Sequence, residues 1–331
     1  MLRLVMNLRA PLRGAADILG TSKSVIYNEL TYISQMVEHW DEIIGPIRFS
    51  GTICIDEKFV KIAAFKKTKK QPFGYLILAV DPVTQDLLHI EIFASRNKES
   101  AEAFLMQLKA KGIYPKTIMT DLAETYDKPV RKVYGRSVTM ARCFFHFKKN
   151  IFDHMAQKFG KKNIPKIAEE LKEAIFDVVD AKARKTIKKR YNALQEQKEE
   201  YLAQEPKLLS MFNCLESYYP HLMRVVESER ISIRTNNPVE LVIRHFNQRY
   251  KLMSGFKNLD TARRHAHLFQ IVYRFTPFSN DLEDKSKRGL SPLQLAGYDI
   301  EHMPLYQYLT APLLFNIDPA KNLAILRGCA A

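Results

Sequence analysis

Apolar positions change their period along this chain, and the changes divide it. In residues 1–45 the spacing is helical: Ala15, Ala16 and Leu19 form one apolar set and Val25, Ile26 and Leu30 another. Gly20 between them can take the left-handed conformation that ends a helix, and Thr21 or Ser22 can cap the next one. Leu30 to Trp40 continues as helix, and Gly45-Pro46 marks a boundary. From Thr52 to Phe65 the pattern turns β-like, with Asp56 set among Ile53, Ile55, Phe59, Val60 and Ile62. Gly74 to Val80 and Leu87 to Ala94 read as two further strands, and the basic run Lys66 to Gln71 reads as a hairpin tip. A helix follows over residues 97–111, with Ala101, Phe104, Leu105 and Leu108 on one face and Gly112 at its end. Thr117 to Thr120 and Arg136 to Arg142 supply a fourth and a fifth strand, with an amphipathic segment between them.

Three strands joined by short loops, then helix, strand, helix and strand, is the element order of a ribonuclease-H-like fold. The expected architecture is therefore α/β, a ribonuclease-H-like mixed sheet, preceded by an all-α helix-turn-helix segment. In that order the first and fourth strands are neighbours. Asp56 and Asp121, 65 residues apart in the chain, then lie side by side. A carboxylate inside a strand is costly unless it is paired or holds a cation. Two of them without a basic partner suit a hard divalent ion such as Mg²⁺. The alternative is two unrelated aspartates. Glu57 should face the other side of its strand.

After Lys148 the β character disappears. Ile164, Ile167, Ala168, Leu171, Ile175 and Val179 keep helical spacing, and a dense run of Lys and Arg follows from Lys182 to Arg190. This reads as a helical insertion with a solvated basic face. The whole chain of 331 residues carries 51 Lys+Arg against 36 Asp+Glu, a formal net charge of +15. An excess of that size points to a polyanionic partner, most simply nucleic acid. Four scattered cysteines form no disulfide framework, and nothing resembles a signal peptide or membrane span; the expected location is cytoplasmic, with the nucleoid. In the helix-turn-helix reading, Ser22, Lys23, Ser24 and Asn28 face a major groove; an ordinary helical hairpin has the same pattern.

Residues 234–250, RTNNPVELVIRHFNQRY, open another helix. Asn237 suits the N-cap, Pro238 the first turn, and Glu240 falls three residues after the cap. Glu240 is then either a capping-box glutamate or a carboxylate aimed at the two aspartates. Spacing alone favours the cap. The ordered set of IDEKFVKI at Asp56, TDLAETY at Asp121, RCFFHFKKN with Cys143 and His146, RTNNPVE at Glu240, and LMSGFKNLDTARRHAHLFQIVYRF resembles a DDE-type transposase of the bacterial insertion-sequence group related to Mutator elements.

That resemblance implies a catalytic core interrupted by a helical insertion, with 119 residues between Asp121 and Glu240. The implied divisions are a helix-turn-helix at 1–45, the core at 46–150 and 231–279, the insertion at 151–230, and a tail at 280–331. It implies that Asp56, Asp121 and Glu240 hold two Mg²⁺ ions, for which Mn²⁺ substitutes, for cleavage and strand transfer on double-stranded DNA. The DNA is the element's terminal inverted repeats and its target, handled by a homodimer or a higher oligomer. It also suggests His146, Arg234 and Asn236 as DNA contacts. For Cys143 and His146 a buried thiol with a packed histidine is an equal reading, and half of a zinc site a weaker one, because structural zinc has four ligands. The competing function is a catalytically inactive, transposase-derived DNA-binding regulator.

Overall fold

A computed structural model describes residues 1–41, 48–67, 72–122, 124–227, 235–298 and 300. The N-terminal helices are α1 (Leu2–Met6), α2 (Leu12–Ile18) and α3 (Lys23–Asp41). They are followed by β1 (Thr52–Lys61), β2 (Phe73–Val80), β3 (Leu87–Phe93), α4 (Lys98–Ala110), β4 (Thr117–Thr120), α5 (Asp127–Tyr134) and β5 (Thr139–Arg142). Five more helices lead to the glutamate: α6 (Phe144–Phe159), α7 (Lys166–Asp180), α8 (Arg184–Glu196), α9 (Lys198–Gln204) and α10 (Leu209–Glu227). Then come α11 (Asn237–Tyr250), α12 (Leu259–Phe275) and the short α13 (Pro292–Leu295). The strands form one mixed sheet in the order β3-β2-β1-β4-β5, the ribonuclease-H-like arrangement expected from the order of elements. Two compact units divide the chain: residues 1–115, 125–135 and 237–331, and residues 116–124 with 136–236.

In the first unit β1, β2 and β3 form an antiparallel meander. β2 and β3 are buried almost throughout and read as nearly continuous apolar runs. α12 packs on β3 and on α3, and α4 packs on α5. Asn97 caps α4 through the Ser100 amide, and Ala101, Phe104, Leu105 and Leu108 are its buried face. Two arginines of this unit hold buried carboxylates. Arg274 grips Asp86 bidentately at 2.8 and 2.9 Å with both side chains essentially out of water. Arg263 holds Glu91 at 2.8 Å.

α2 and α3 meet at Gly20, whose φ of +60° is the left-handed turn its position demands. Ser22 caps α3 by accepting the Val25 amide at 3.3 Å. The apolar assignments differ in part from expectation. α3 buries Ile26 and Leu30, four residues apart, whereas Val25, about 100° round the helix, is 46% exposed. Leu19 is likewise 46% exposed, because α2 ends at Ile18 and the chain turns away before Leu19 can join the Ala15–Ala16 face. The basic segment after β1 begins as a 3₁₀ turn over Ala63–Lys67 rather than as a hairpin tip; residues 68–71 lie outside the described part.

In the second unit β4 and β5 pair in parallel, Thr117 opposite Thr139 through Thr120 opposite Arg142. Helices α6 to α10 carry the remainder of the unit. Their shared core includes Phe147, Ile151, Leu171, Ile175, Phe212 and Leu215. The helical periodicity of the insertion is thus that of a packed bundle. Its lysines and arginines stay on the outside: Arg184, Lys185, Lys188, Lys189 and Arg190 are all exposed.

Candidate active site

Asp56 sits midway along β1, opposite Leu78 of β2, where the burial of the strand loosens from buried to half-buried. Its Oδ1 accepts the amide of Glu57 at 2.8 Å. The neighbouring carboxylate, Glu57, is engaged elsewhere: it accepts the Tyr126 hydroxyl at 2.8 Å and pairs with Arg96 at 2.5 Å. Alternation along the strand therefore separates a structural carboxylate from a candidate ligand.

α11 carries Glu240 and packs on β1 and β2. Val239, Val242, Phe246 and Arg249 form its buried stripe. Glu240, Arg244, Asn247 and Lys251 follow one another at intervals of three and four residues, so they share a different face. That face and β1 enclose an open pocket of about 540 Å³ lined by Asp56, Lys58, Glu240, Arg244, Asn247 and Lys251. Asp56 and Glu240 each offer a carboxylate oxygen here, within 4.8 Å of each other.

The helix begins at Asn237, so Asn236 precedes it and Glu240 is its fourth residue. Three residues after Asn236 comes Val239, which is buried; the capping-box position expected for Glu240 is displaced by one. Asn236 is fully buried, and its amide donates to the Cys143 sulfur at 3.2 Å. Buried in this way, Asn236 offers no surface to DNA. Arg234 lies outside the described residues.

Two ties fix α11 against β1. The Tyr250 hydroxyl accepts the Lys61 amide at 2.7 Å, and the Phe256 amide donates to the Lys61 carbonyl at 2.8 Å. Between them Gly255 has φ +99°, and a Cβ built on it would stand 2.7 Å from the Lys61 carbonyl oxygen. Lys58, two residues beyond Asp56 on β1, lies 5.3 Å over the Tyr250 ring. Burial and the nearby Lys251 charge both lower its pKa. None of these supports was visible as a pattern in the sequence. The glycine in LMSGFKN was the only local sign.

In the second unit Asp121 directly follows β4 and is half-buried. Arg142, the last residue of β5, donates to Thr120 Oγ1 at 2.6 Å and to the Asp121 carbonyl at 3.1 Å. Thr120 Oγ1 in turn donates to the same carbonyl at 3.0 Å. Arg142 is 3% exposed, so the backbone at Asp121 is set by a buried guanidinium that periodicity reads only as the end of a strand. Cys143 starts α6 as its buried N-cap residue, and His146 lies in the first turn, half-buried. Ser22, Lys23, Ser24 and Asn28 are all exposed on or just before α3. No helix among the described residues is long and apolar enough to cross a membrane.

Among solved structures the chain is similar to a Drosophila P element transposase strand transfer complex, at 12% identity and a TM-score of 0.34 over 94% of this chain and 90% of that one. A likeness that distant supports no inference about residues. A comparison with curated proteins finds no match. The sequence profile described as "Transposase, Mutator family" matches residues 13–272, spanning α2 to α12 and including all three candidate carboxylates. The chain belongs to the Mutator family of transposases.

Proposed function

We propose that this protein is a catalytically competent DDE transposase that cleaves DNA at the ends of its insertion element and joins them to target DNA. The observation that carries the reading is the pairing of Asp56 and Glu240 in one open pocket, their oxygens within 4.8 Å. Two carboxylates that close repel each other unless a cation or a proton lies between them. Of the buried carboxylates of the first unit, Asp86 and Glu91 are held by arginines and Asp81 accepts the Ser50 and Val83 amides. A donor set of carboxylate oxygens in an accessible pocket fits a hard divalent ion.

Asp56 and Glu240 would hold Mg²⁺, or Mn²⁺ in its place, with Asp121 as the third ligand. The support for Asp121 is its position after β4, the strand next to β1 in the sheet order, and its backbone set by Arg142. When bound, divalent ions activate the attacking water or 3′-hydroxyl and stabilise the leaving 3′-oxygen. Asp56 and Glu240 present their oxygens from a strand and a helix tied together at Lys61, so their separation is preset before DNA arrives. Preset geometry of this kind lowers the reorganisation that would otherwise slow the reaction. Water as nucleophile gives strand cleavage, and a DNA 3′-hydroxyl gives strand transfer. The exposed Ser22, Lys23, Ser24 and Asn28 on the N-terminal helices, with His146, are proposed to contact the terminal inverted repeats and target DNA. Two ends must be held at once, which calls for at least a homodimer.

The test is nicking and joining on a supercoiled plasmid that carries the element ends, with Mg²⁺ or Mn²⁺ against chelator. Metal-dependent joining that Asp56→Asn, Asp121→Asn and Glu240→Gln each abolish is the expected result. Specific binding without cleavage under any metal would replace this reading with that of a DNA-binding regulator.

A further inference from the structure

The pocket that holds Asp56 and Glu240 is also lined by three cations, Lys58, Arg244 and Lys251. Among the described residues none of the three makes an ion pair, and Arg244 and Lys251 are exposed. In the second unit Lys148 finds Asp180, Lys172 finds Glu169 and Lys198 finds Glu216. Lys58 is two residues from Asp56, on the same face of β1, yet its ammonium lies over the Tyr250 ring instead of on a carboxylate. Lys251 follows Glu240 by eleven residues, just past the end of α11, where its amide still donates to the Asn247 carbonyl at 2.9 Å; at 1.5 Å per residue the separation is about 16 Å. Lys58 and Lys251 act on each other as like charges. Asn247 between them has a buried side-chain oxygen without a hydrogen-bond partner.

Placing cations without partners along one wall, at increasing distance from a pair of carboxylates, is an arrangement for an extended anion that begins at those carboxylates. We infer that α11 and β1 form a phosphate track, in which Lys58, Arg244 and Lys251 hold the backbone of the DNA strand that flanks the reacting phosphodiester. The inference rests on the proposed active site and adds the path of the strand away from it. With a rise of about 3.4 Å per nucleotide in a stacked strand, 16 Å reaches roughly five nucleotides from the carboxylates. Phosphates nearer than that belong to Arg244, four residues from Glu240; the farther ones belong to Lys251. Cations at this distance are positioning residues: they fix the register of the strand and do not touch the reacting atoms.

The experiment measures binding of the full-length protein to a labelled element end in chelator, so that no chemistry intervenes. Two substrates are compared, with the flanking strand extending two or eight nucleotides beyond the cleavage position. For the eight-nucleotide substrate, Lys251→Ala is expected to lower the slope of log affinity against log salt by about 0.7 to 0.9, one phosphate contact. For the two-nucleotide substrate, wild type and Lys251→Ala should bind alike. Lys251→Arg should restore the slope. Lys58→Ala tests the β1 side of the same track, with a matched loss on the longer substrate and a circular-dichroism melt to establish that the fold survives. An unchanged slope for both variants overturns the track, as does an equal loss on both substrates. These readouts are independent of cleavage. If Asp56→Asn still cuts DNA while the slopes change as expected, the active-site assignment fails and the track stands; the reverse pattern removes the track alone.

Discussion

Gly255→Ala tests whether the carboxylate pair depends on the tie between α11 and β1. Gly255 has φ +99°, so any side chain there pays a conformational cost of about 1 to 2 kcal/mol. The added Cβ would also stand 2.7 Å from the Lys61 carbonyl oxygen and 3.0 Å from the Lys61 Cβ. The carbonyl is backbone, and it accepts the Phe256 amide at 2.8 Å. Relieving the overlap must lengthen that hydrogen bond, which contributes about 1 kcal/mol. The sum is roughly 2 to 3 kcal/mol of destabilisation. Gly20→Ala is the matched control: φ is +60°, and nothing stands within 4 Å of the new Cβ. It carries the conformational cost without the overlap. Denaturant unfolding of both variants, with the midpoint and slope reported separately, isolates the contact. The expected order is Gly255→Ala well below Gly20→Ala, with metal-dependent cleavage lost only in the former because Tyr250 and Phe256 set where Glu240 stands. Equal stability of the two variants would refute the close approach of the chain to Lys61. A Gly255→Ala protein with full cleavage activity would refute the dependence of the site on it.

The remaining predictions concern charge and proton uptake. Asp86→Asn leaves the Arg274 guanidinium buried without its carboxylate and should cost about 3 to 5 kcal/mol in chemical denaturation; the double change Asp86→Leu with Arg274→Met should cost less than Asp86→Asn alone. Burial, with a smaller push from the Arg249 charge, holds His265 down at about 3. The unfolded chain then takes up a proton near pH 6.5 while the folded one does not, so stability is full above that pH and falls by about 1.4 kcal/mol per unit as the pH drops from 6.5 towards 3. His265→Phe should flatten that acid limb, and an unchanged limb in urea titrations at pH 7 and 5.5 would show that this histidine is not responsible. Arg142→Lys keeps the charge but loses the planar fork that reaches Thr120 and the Asp121 carbonyl. It should slow single-turnover cleavage about tenfold, about 1.4 kcal/mol, with unchanged DNA affinity; an affinity loss without a rate loss would make Arg142 a DNA contact instead.

How far the sequence discloses this protein depends on the range of the interaction that fixes each feature. Strand and helix positions follow from local alternation and periodicity, and the meander, α4 with its Asn97 cap, and β4 and β5 lie close to where the pattern puts them. The exceptions are at element ends. Leu19 and Val25 have the right spacing for an apolar face, but the position of a turn and a 100° rotation leave both half exposed, and neither is encoded in spacing. Glu240 shows the same limit at the site itself. Asn237, Pro238 and Glu240 make a sound local argument for a capping box, yet the helix starts at Asn237 itself, one residue earlier than that argument requires, and the glutamate lines the pocket with Asp56. What decides between those roles is tertiary: Tyr250 and Phe256 meeting Lys61 about 190 residues away in the chain. Arg142, Tyr126 and Arg96 belong to the same class, since a guanidinium that holds the Asp121 backbone carbonyl, or a hydroxyl and a guanidinium that hold the Glu57 carboxylate, carry no periodic signature. The ordered acidic motifs could name the candidate ligands because chemistry restricts which residue types can serve. The groups that hold them in place are chosen by shape and distance, so many residue types would have sufficed, and only the fold shows which ones were used.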